Sequence, residues 1–163
     1  MDGATLTHRR GLARSRSEQG SLVDLLRSRA KSQADHKLYT FLPDGPEPER
    51  SLTYAELDQQ ARSIGAWLQS EGAPGQRALL LFPPGLDYIA AFFGCLYAKA
   101  VAVPAYPPRQ NRNVDRLRAI VNDAPPALVL TTQAIMSQIG SRLNETPDLN
   151  ALRWKPIDSI ERQ

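Results

Sequence analysis

The sequence predicts an α/β fold, a partial doubly wound parallel sheet with flanking helices and a small N-terminal hairpin. Short, uninterrupted apolar runs at 78–82, 101–103 and 127–131 read as strands covered on both faces. Segments with apolar residues at helical spacing separate them, and buried strands alternating with helices call for right-handed crossovers. The third observation is size and composition. A chain of 163 residues, 42% hydrophobic and 23% charged, fits one domain or part of a larger one and excludes disorder throughout.

Residues 1–20 mix Gly, Ser, Thr and Arg with few large apolar side chains and read as a flexible basic leader, with structure expected over 21–163. Ser21 followed by Asp24 predicts a helix N-cap, and Leu22, Leu25, Leu26 and Ala30 then fall on one helical face. Residues 38–42 suit a strand. The cluster Pro43-Asp44-Gly45-Pro46 turns the chain toward a second strand near Ser51, giving a hairpin. Thr53 and Glu56 form a capping box for a helix carrying Leu57, Ala61, Ile64 and Leu68, with Gly72 as its stop.

The strand at 78–82 ends at Pro83-Pro84. Residues 86–98 are apolar almost all round, with Leu86, Ile89, Ala90, Phe93 and Tyr97 on one side, which predicts a deeply buried helix. Beyond 101–103 the pattern continues through a Pro-rich loop, a helix from about Asn113 carrying Leu117, Ile120 and Val121, and the strand 127–131. A helix at 133–143 and a last strand near Leu152 complete it. There is no solenoid repeat.

Net charge is +3, and its excess lies in residues 1–37, which hold eight basic and four acidic residues. A second basic cluster comprises Arg109, Arg112, Arg116 and Arg118 against Asp115. Neither is interleaved with aromatics nor part of a groove-reading module, so both read as solvated surface and no nucleic-acid partner is expected. No run of about 20 apolar residues is present, so no membrane span is expected. The arginines of the leader precede no apolar h-region, which points to a cytoplasmic protein. The single cysteine, Cys95, forms no internal disulfide, in keeping with a reducing compartment. Asn144-Glu145-Thr146 matches a glycosylation sequon by chance, with Pro147 directly after it.

In an open parallel sheet the ligand crevice lies beyond the carboxyl ends of the strands, here at Phe82-Pro83-Pro84, Pro104-Ala105-Tyr106 and Thr131-Thr132. Pro83 and Pro84 have no N–H to offer a phosphate, and neither G-x-G-x-x-G nor G-x-x-x-x-G-K-[ST] occurs. His8 and His36 lack metal or triad spacing and read as surface residues. Cys95 sits in the apolar helix as a small hydrophobe. Asp44, Glu47 and Glu49 read as a solvated loop. Tyr88, Phe92, Phe93 and Tyr97 suit either core packing or an acyl-pocket wall. Pro104-Ala105-Tyr106-Pro107-Pro108-Arg109 contains P-x-x-P and reads as a stiff connecting loop rather than a ligand for a polyproline reader. No catalytic or metal-binding residue is assigned, and the cofactor-binding residues stay unknown.

A family comes into view at the run Leu80-Leu81-Phe82-Pro83-Pro84-Gly85-Leu86-Asp87-Tyr88 and at Pro104-Ala105-Tyr106-Pro107-Pro108-Arg109. Together with Leu52-Thr53-Tyr54-Ala55-Glu56-Leu57 and Arg116-Leu117, these resemble the N-terminal region of fatty acyl-AMP ligases, members of the adenylate-forming, acyl-activating superfamily. The resemblance runs from Ser21 to about Thr132. It implies a parent enzyme that uses ATP and magnesium to convert a fatty acid to an acyl-adenylate. Transfer to an acyl carrier protein then feeds polyketide, peptide or lipid assembly.

The family's phosphate loop, adenine and magnesium motifs and C-terminal lysine have no counterpart here, so the chain is expected to be an incomplete, inactive N-terminal portion that binds no cofactor tightly. An open sheet edge predicts self-association. An acyl-CoA ligase or an amino-acid adenylation domain is the close alternative, and a non-catalytic interaction module using the leader or the Pro-rich loop is the distant one. Lys99 departs from the resemblance, since relatives usually have Gly there. If that position needs φ > 0, lysine costs about 1 kcal/mol.

Overall fold

Polar side chains set the starts of the first two helices. In the computed structural model, which describes residues 20–43, 45–46, 48–108 and 114–161, α1 (Leu22–Ser32) begins at a reciprocal capping box. The Ser21 hydroxyl accepts from the Asp24 N–H at 3.2 Å, and the Asp24 carboxylate accepts from the Ser21 N–H at 2.9 Å. The predicted hairpin is present: β1 (Lys37–Phe41) pairs antiparallel with β2 (Arg50–Thr53). Thr53 ends β2 and caps α2 (Tyr54–Ser70), exchanging hydrogen bonds of 3.2 and 2.8 Å with Glu56. Past the end of α2, Gly72 turns the chain at φ 73°, the left-handed geometry expected of a helix stop.

The parallel sheet then builds up in sequence as β3 (Arg77–Leu81), α3 (Leu86–Ala98), β4 (Val101–Ala105), α4 (Asp115–Asp123), β5 (Leu128–Thr131), α5 (Gln133–Asn144), α6 (Pro147–Asn150) and β6 (Trp154–Pro156), with a 3-10 turn at Ile157–Ser159. Strand order is β4-β3-β5-β6, all parallel. The chain leaves β3 toward β4, then crosses back past β3 to β5, so the sheet is doubly wound as predicted.

Alternation along the strands divides the core in two. Ala78, Leu80, Leu128 and Leu130 face α2 and α3, while Leu79, Leu81 and Val129 face Leu117 of α4 and Ile135, Ile139 and Leu143 of α5. Each fully buried leucine in these strands contributes about 1.5–3 kcal/mol. This two-sided burial is why the strands read as continuous apolar runs.

The layer of α2 and α3 is tight because two glycines meet across it. A Cβ on Gly94 would lie 2.7 Å from Ile64 Cβ, and one on Gly65 would lie 2.8 Å from Tyr97 Cβ. α3 ends at Lys99, whose φ of 58° and ψ of 30° meet the expectation of a left-handed residue there.

Several expectations need correction. The buried stripe of α1 is centred on Leu26 with Val23 partly buried, whereas Leu22 and Leu25 are 55% and 54% exposed. Two overlapping apolar stripes run along this helix, and only one faces α2 and α3. Strand β4 runs on to Ala105, so Pro104 lies inside a strand rather than opening a loop; as an outer strand of the described sheet, β4 accommodates it. The last strand is present two residues past Leu152, at Trp154–Pro156, but the short α6 before it was not predicted; it carries Pro147 in its first turn and buries Leu149. The leader with His8, the turn residues Asp44 and Glu47, Arg109, Arg112 and the expected helix start at Asn113 lie outside the described residues. Among the described residues, no helix is long and apolar enough to cross a membrane.

Candidate functional site at the strand ends

The carboxyl ends of the strands form two clefts, as the sheet topology requires. The larger, of about 690 Å³, is lined by Pro83, Pro84, Pro108, Arg116, Ile120 and Gln138, among others. The smaller, of about 370 Å³, runs along Phe82, Gly85, Tyr88, Ile89 and Ala105. Pro83, Pro84 and Tyr106 line both, and Tyr106 is 69% exposed. The Thr131 hydroxyl, fully buried, donates to the Leu81 carbonyl at 2.8 Å and ties the end of β5 to the end of β3 beneath the clefts.

These residues do not fit the phosphates of a nucleotide. Proline supplies no N–H at positions 83, 84, 107 and 108. The first turn of α5 carries its own anion, because the Gln133 N–H donates to both oxygens of Asp158, at 3.0 and 3.1 Å, while the Thr132 hydroxyl accepts from Ile135 N–H at 3.3 Å. The α3 start at Gly85 opens on the smaller cleft, whose lining contains no cation. Among the described residues, no group of three or more His, Cys, Asp or Glu side chains is placed to hold a metal ion.

The other predicted positions separate. Tyr88 reaches the smaller cleft, its ring 6.3 Å from that of Phe92, which meets Phe93 edge-on at 6.1 Å. Tyr97 instead points toward α1 and α2. Its hydroxyl donates to Asp58, Arg62 Nε donates to the same carboxylate at 2.7 Å, and the Arg27 guanidinium stacks 4.8 Å from its ring centroid. Burial, reinforced by the Asp58 carboxylate, pushes the Tyr97 phenol up to about 12. Cys95 is fully buried, and burial pushes its thiol up to about 12, so it packs as a hydrophobe. His36 stacks on Tyr54 with ring centroids 6.0 Å apart, away from the clefts, and Glu49 pairs with Lys37 at 3.7 Å on the surface.

Sequence reasoning located the crevice but missed Ile120, Ile135, Gln138 and the Asp158 cap. None of these carries a local signal, since each reaches the strand ends only through the crossovers.

Residues 26–158 match the family described as AMP-binding enzyme. The chain belongs to that family. The chain is 42% identical over 150 residues to medium-chain-fatty-acid–[acyl-carrier-protein] ligase JamA of Moorena producens (strain JHB), covering 90% of this chain and 25% of JamA. It is 35% identical over 157 residues to Disco-interacting protein 2 of Drosophila melanogaster, covering 93% of this chain and 9% of that protein. Its fold superposes with a TM-score of 0.76 and 44% identity on the crystal structure of fatty acyl-adenylate ligase from L. pneumophila in complex with acyl adenylate and pyrophosphate, covering 86% of this chain and 24% of that one. The chain thus spans about a quarter of the length of JamA and of the L. pneumophila ligase. The comparisons lend no support to self-association.

Proposed function

We propose that this chain is the N-terminal portion, over 21–163, of an enzyme that activates fatty acids with ATP to acyl-adenylates and passes them to an acyl carrier protein. The observation that carries the proposal is the 44% identity and shared fold with a ligase solved with acyl adenylate and pyrophosphate. JamA, a ligase of fatty acids to a carrier protein, supports the acceptor. Within such an enzyme this segment supplies sheet layers and apolar wall around the strand ends. The ATP phosphates and magnesium fall to residues of the longer protein, since the described residues here do not fit them. A reducing, cytoplasmic setting accords with a single, deeply buried thiol.

Hydroxamate trapping tests this reading. With fatty acid, ATP and hydroxylamine, the full-length protein is expected to form acyl-hydroxamate and the 163-residue chain none. Hydroxamate from the short chain would refute its dependence on residues elsewhere. A full-length protein that forms none with any chain length would refute the ligase reading.

A further inference from the structure

The paired register of β3 and β5 stops just short of the clefts, at Leu80↔Leu130. The next two residues, Leu81 and Thr131, are joined by a side chain instead: the Thr131 hydroxyl donates to the Leu81 carbonyl at 2.8 Å, and both residues are fully buried. On its other side Thr131 lies in register with Pro156 of β6, which has no N–H to give the ladder. A side-chain bond takes over where main-chain pairing runs out.

Two parts of the larger cleft's lining hang from this bond. Pro83 and Pro84 follow Leu81 closely in the chain, while Ile135 and Gln138 belong to α5, which begins at Gln133, directly after Thr132. The joint between β5 and α5 is stiff. The Ile135 N–H donates to the Thr132 hydroxyl at 3.3 Å, and the Gln133 N–H donates to both Asp158 oxygens, so a shift of Thr131 carries the start of α5 with it. Thr131 itself lines neither cleft.

We infer that Thr131 is a positioning residue of the strand-end crevice, its hydroxyl fixing the spacing between the Pro83-Pro84 turn and α5. The kinetic consequence of that spacing rests on the acyl-activating reading; the spacing does not.

Two substitutions separate positioning from packing. Thr131→Val keeps the branched shape and removes the hydroxyl, whereas Thr131→Ser keeps the hydroxyl and leaves a methyl-sized void. In the full-length protein, Thr131→Val is expected to lower kcat/KM for hydroxamate formation about tenfold or more per folded molecule, as a displaced wall does, and Thr131→Ser to retain most of it. Folded fractions come from circular dichroism. A packing role alone would leave kcat/KM per folded molecule unchanged in both. Asp158→Ala, an exposed change that frees Gln133 at the same joint, is expected to lower kcat/KM in the same direction and keeps the test open if Thr131→Val does not fold. Hydrogen exchange reads the spacing without activity: Thr131→Val, and not Thr131→Ser, is expected to speed exchange at the Gln133 and Ile135 amides about threefold to tenfold, the worth of one net hydrogen bond. Unimpaired Thr131→Val, Thr131→Ser as impaired as Thr131→Val, an Asp158→Ala without effect, or unchanged exchange at both amides would each overturn the assignment. The two readings fail separately. Faster exchange in Thr131→Val of a full-length protein that forms no hydroxamate removes only the ligase reading. Hydroxamate formation that Thr131→Val leaves intact removes only the positioning role.

Discussion

Lys99 holds a conformation that a side chain resists. In the left-handed region Cβ crowds the following carbonyl at a cost of about 1–2 kcal/mol, against which glycine loses more backbone entropy on folding. Lys99→Gly is therefore expected to raise stability by about 0.5–1 kcal/mol in urea unfolding; a loss would mean that the lysine side chain contributes more than its backbone costs. Tyr97 gives a pH signature at the same scale. Its phenol is raised from 10.0 to about 12 by burial first and the Asp58 carboxylate second. A raised value in the folded state means a contribution fully present below pH 10 and lost as pH climbs toward 12. Tyr97→Phe is expected to flatten the fall of stability across that window, read from denaturant midpoints at successive pH values. Both residues stood out in the sequence, Lys99 as a departure from a family pattern and Tyr97 as one of four aromatics. Only the fold separates Tyr97, turned toward Asp58, from Tyr88 at the cleft, because the two lie on different sides of one helix.

Elements were legible where a local rule fixes them. The pairs Ser21/Asp24 and Thr53/Glu56 declare helix starts through bonds made three residues apart, and the strands β3 and β5 declare themselves by being apolar on both faces. α1's buried side and the short α6 were not legible, since each depends on what arrives from elsewhere: α2 and α3 select one of two stripes, and Leu149 is drawn into the core beside α5. The packing of α2 on α3 likewise gives no signal beyond two glycines. It nevertheless yields a sharp expectation. Gly94→Ala places a methyl group against Ile64 and should cost about 1–3 kcal/mol, with Ile64→Ala in the same molecule recovering part of the loss. Additive losses in that double-mutant cycle would mean that the helices separate rather than interlock.

For the whole molecule, the sheet is the partition on which both cores depend. Strands β3 and β5 send Leu80 and Leu130 to one side and Leu79 and Val129 to the other, so neither core can open without disturbing the same two strands. Native-state hydrogen exchange is expected to show the slowest amides in β3 and β5, with α1 and the hairpin opening at lower free energy. Equal protection throughout would contradict this order. The place of the site was legible at this scale alone, because a doubly wound sheet puts its crevice at the strand ends whatever the side chains are. Its full lining was not, because Arg116 and Gln138 meet there only after two crossovers.

The crossing of α2 and α3 also constrains how this sequence can change with time. Positions 64 and 94 share one volume, so the less costly order of change is for the isoleucine to shrink before the glycine gains a side chain. A lineage that takes the steps in reverse passes through an ancestor with both groups in the same space. Descendants with alanine at 94 are therefore expected to carry a smaller residue at 64, a correlation between two positions thirty residues apart that records a route and not a function.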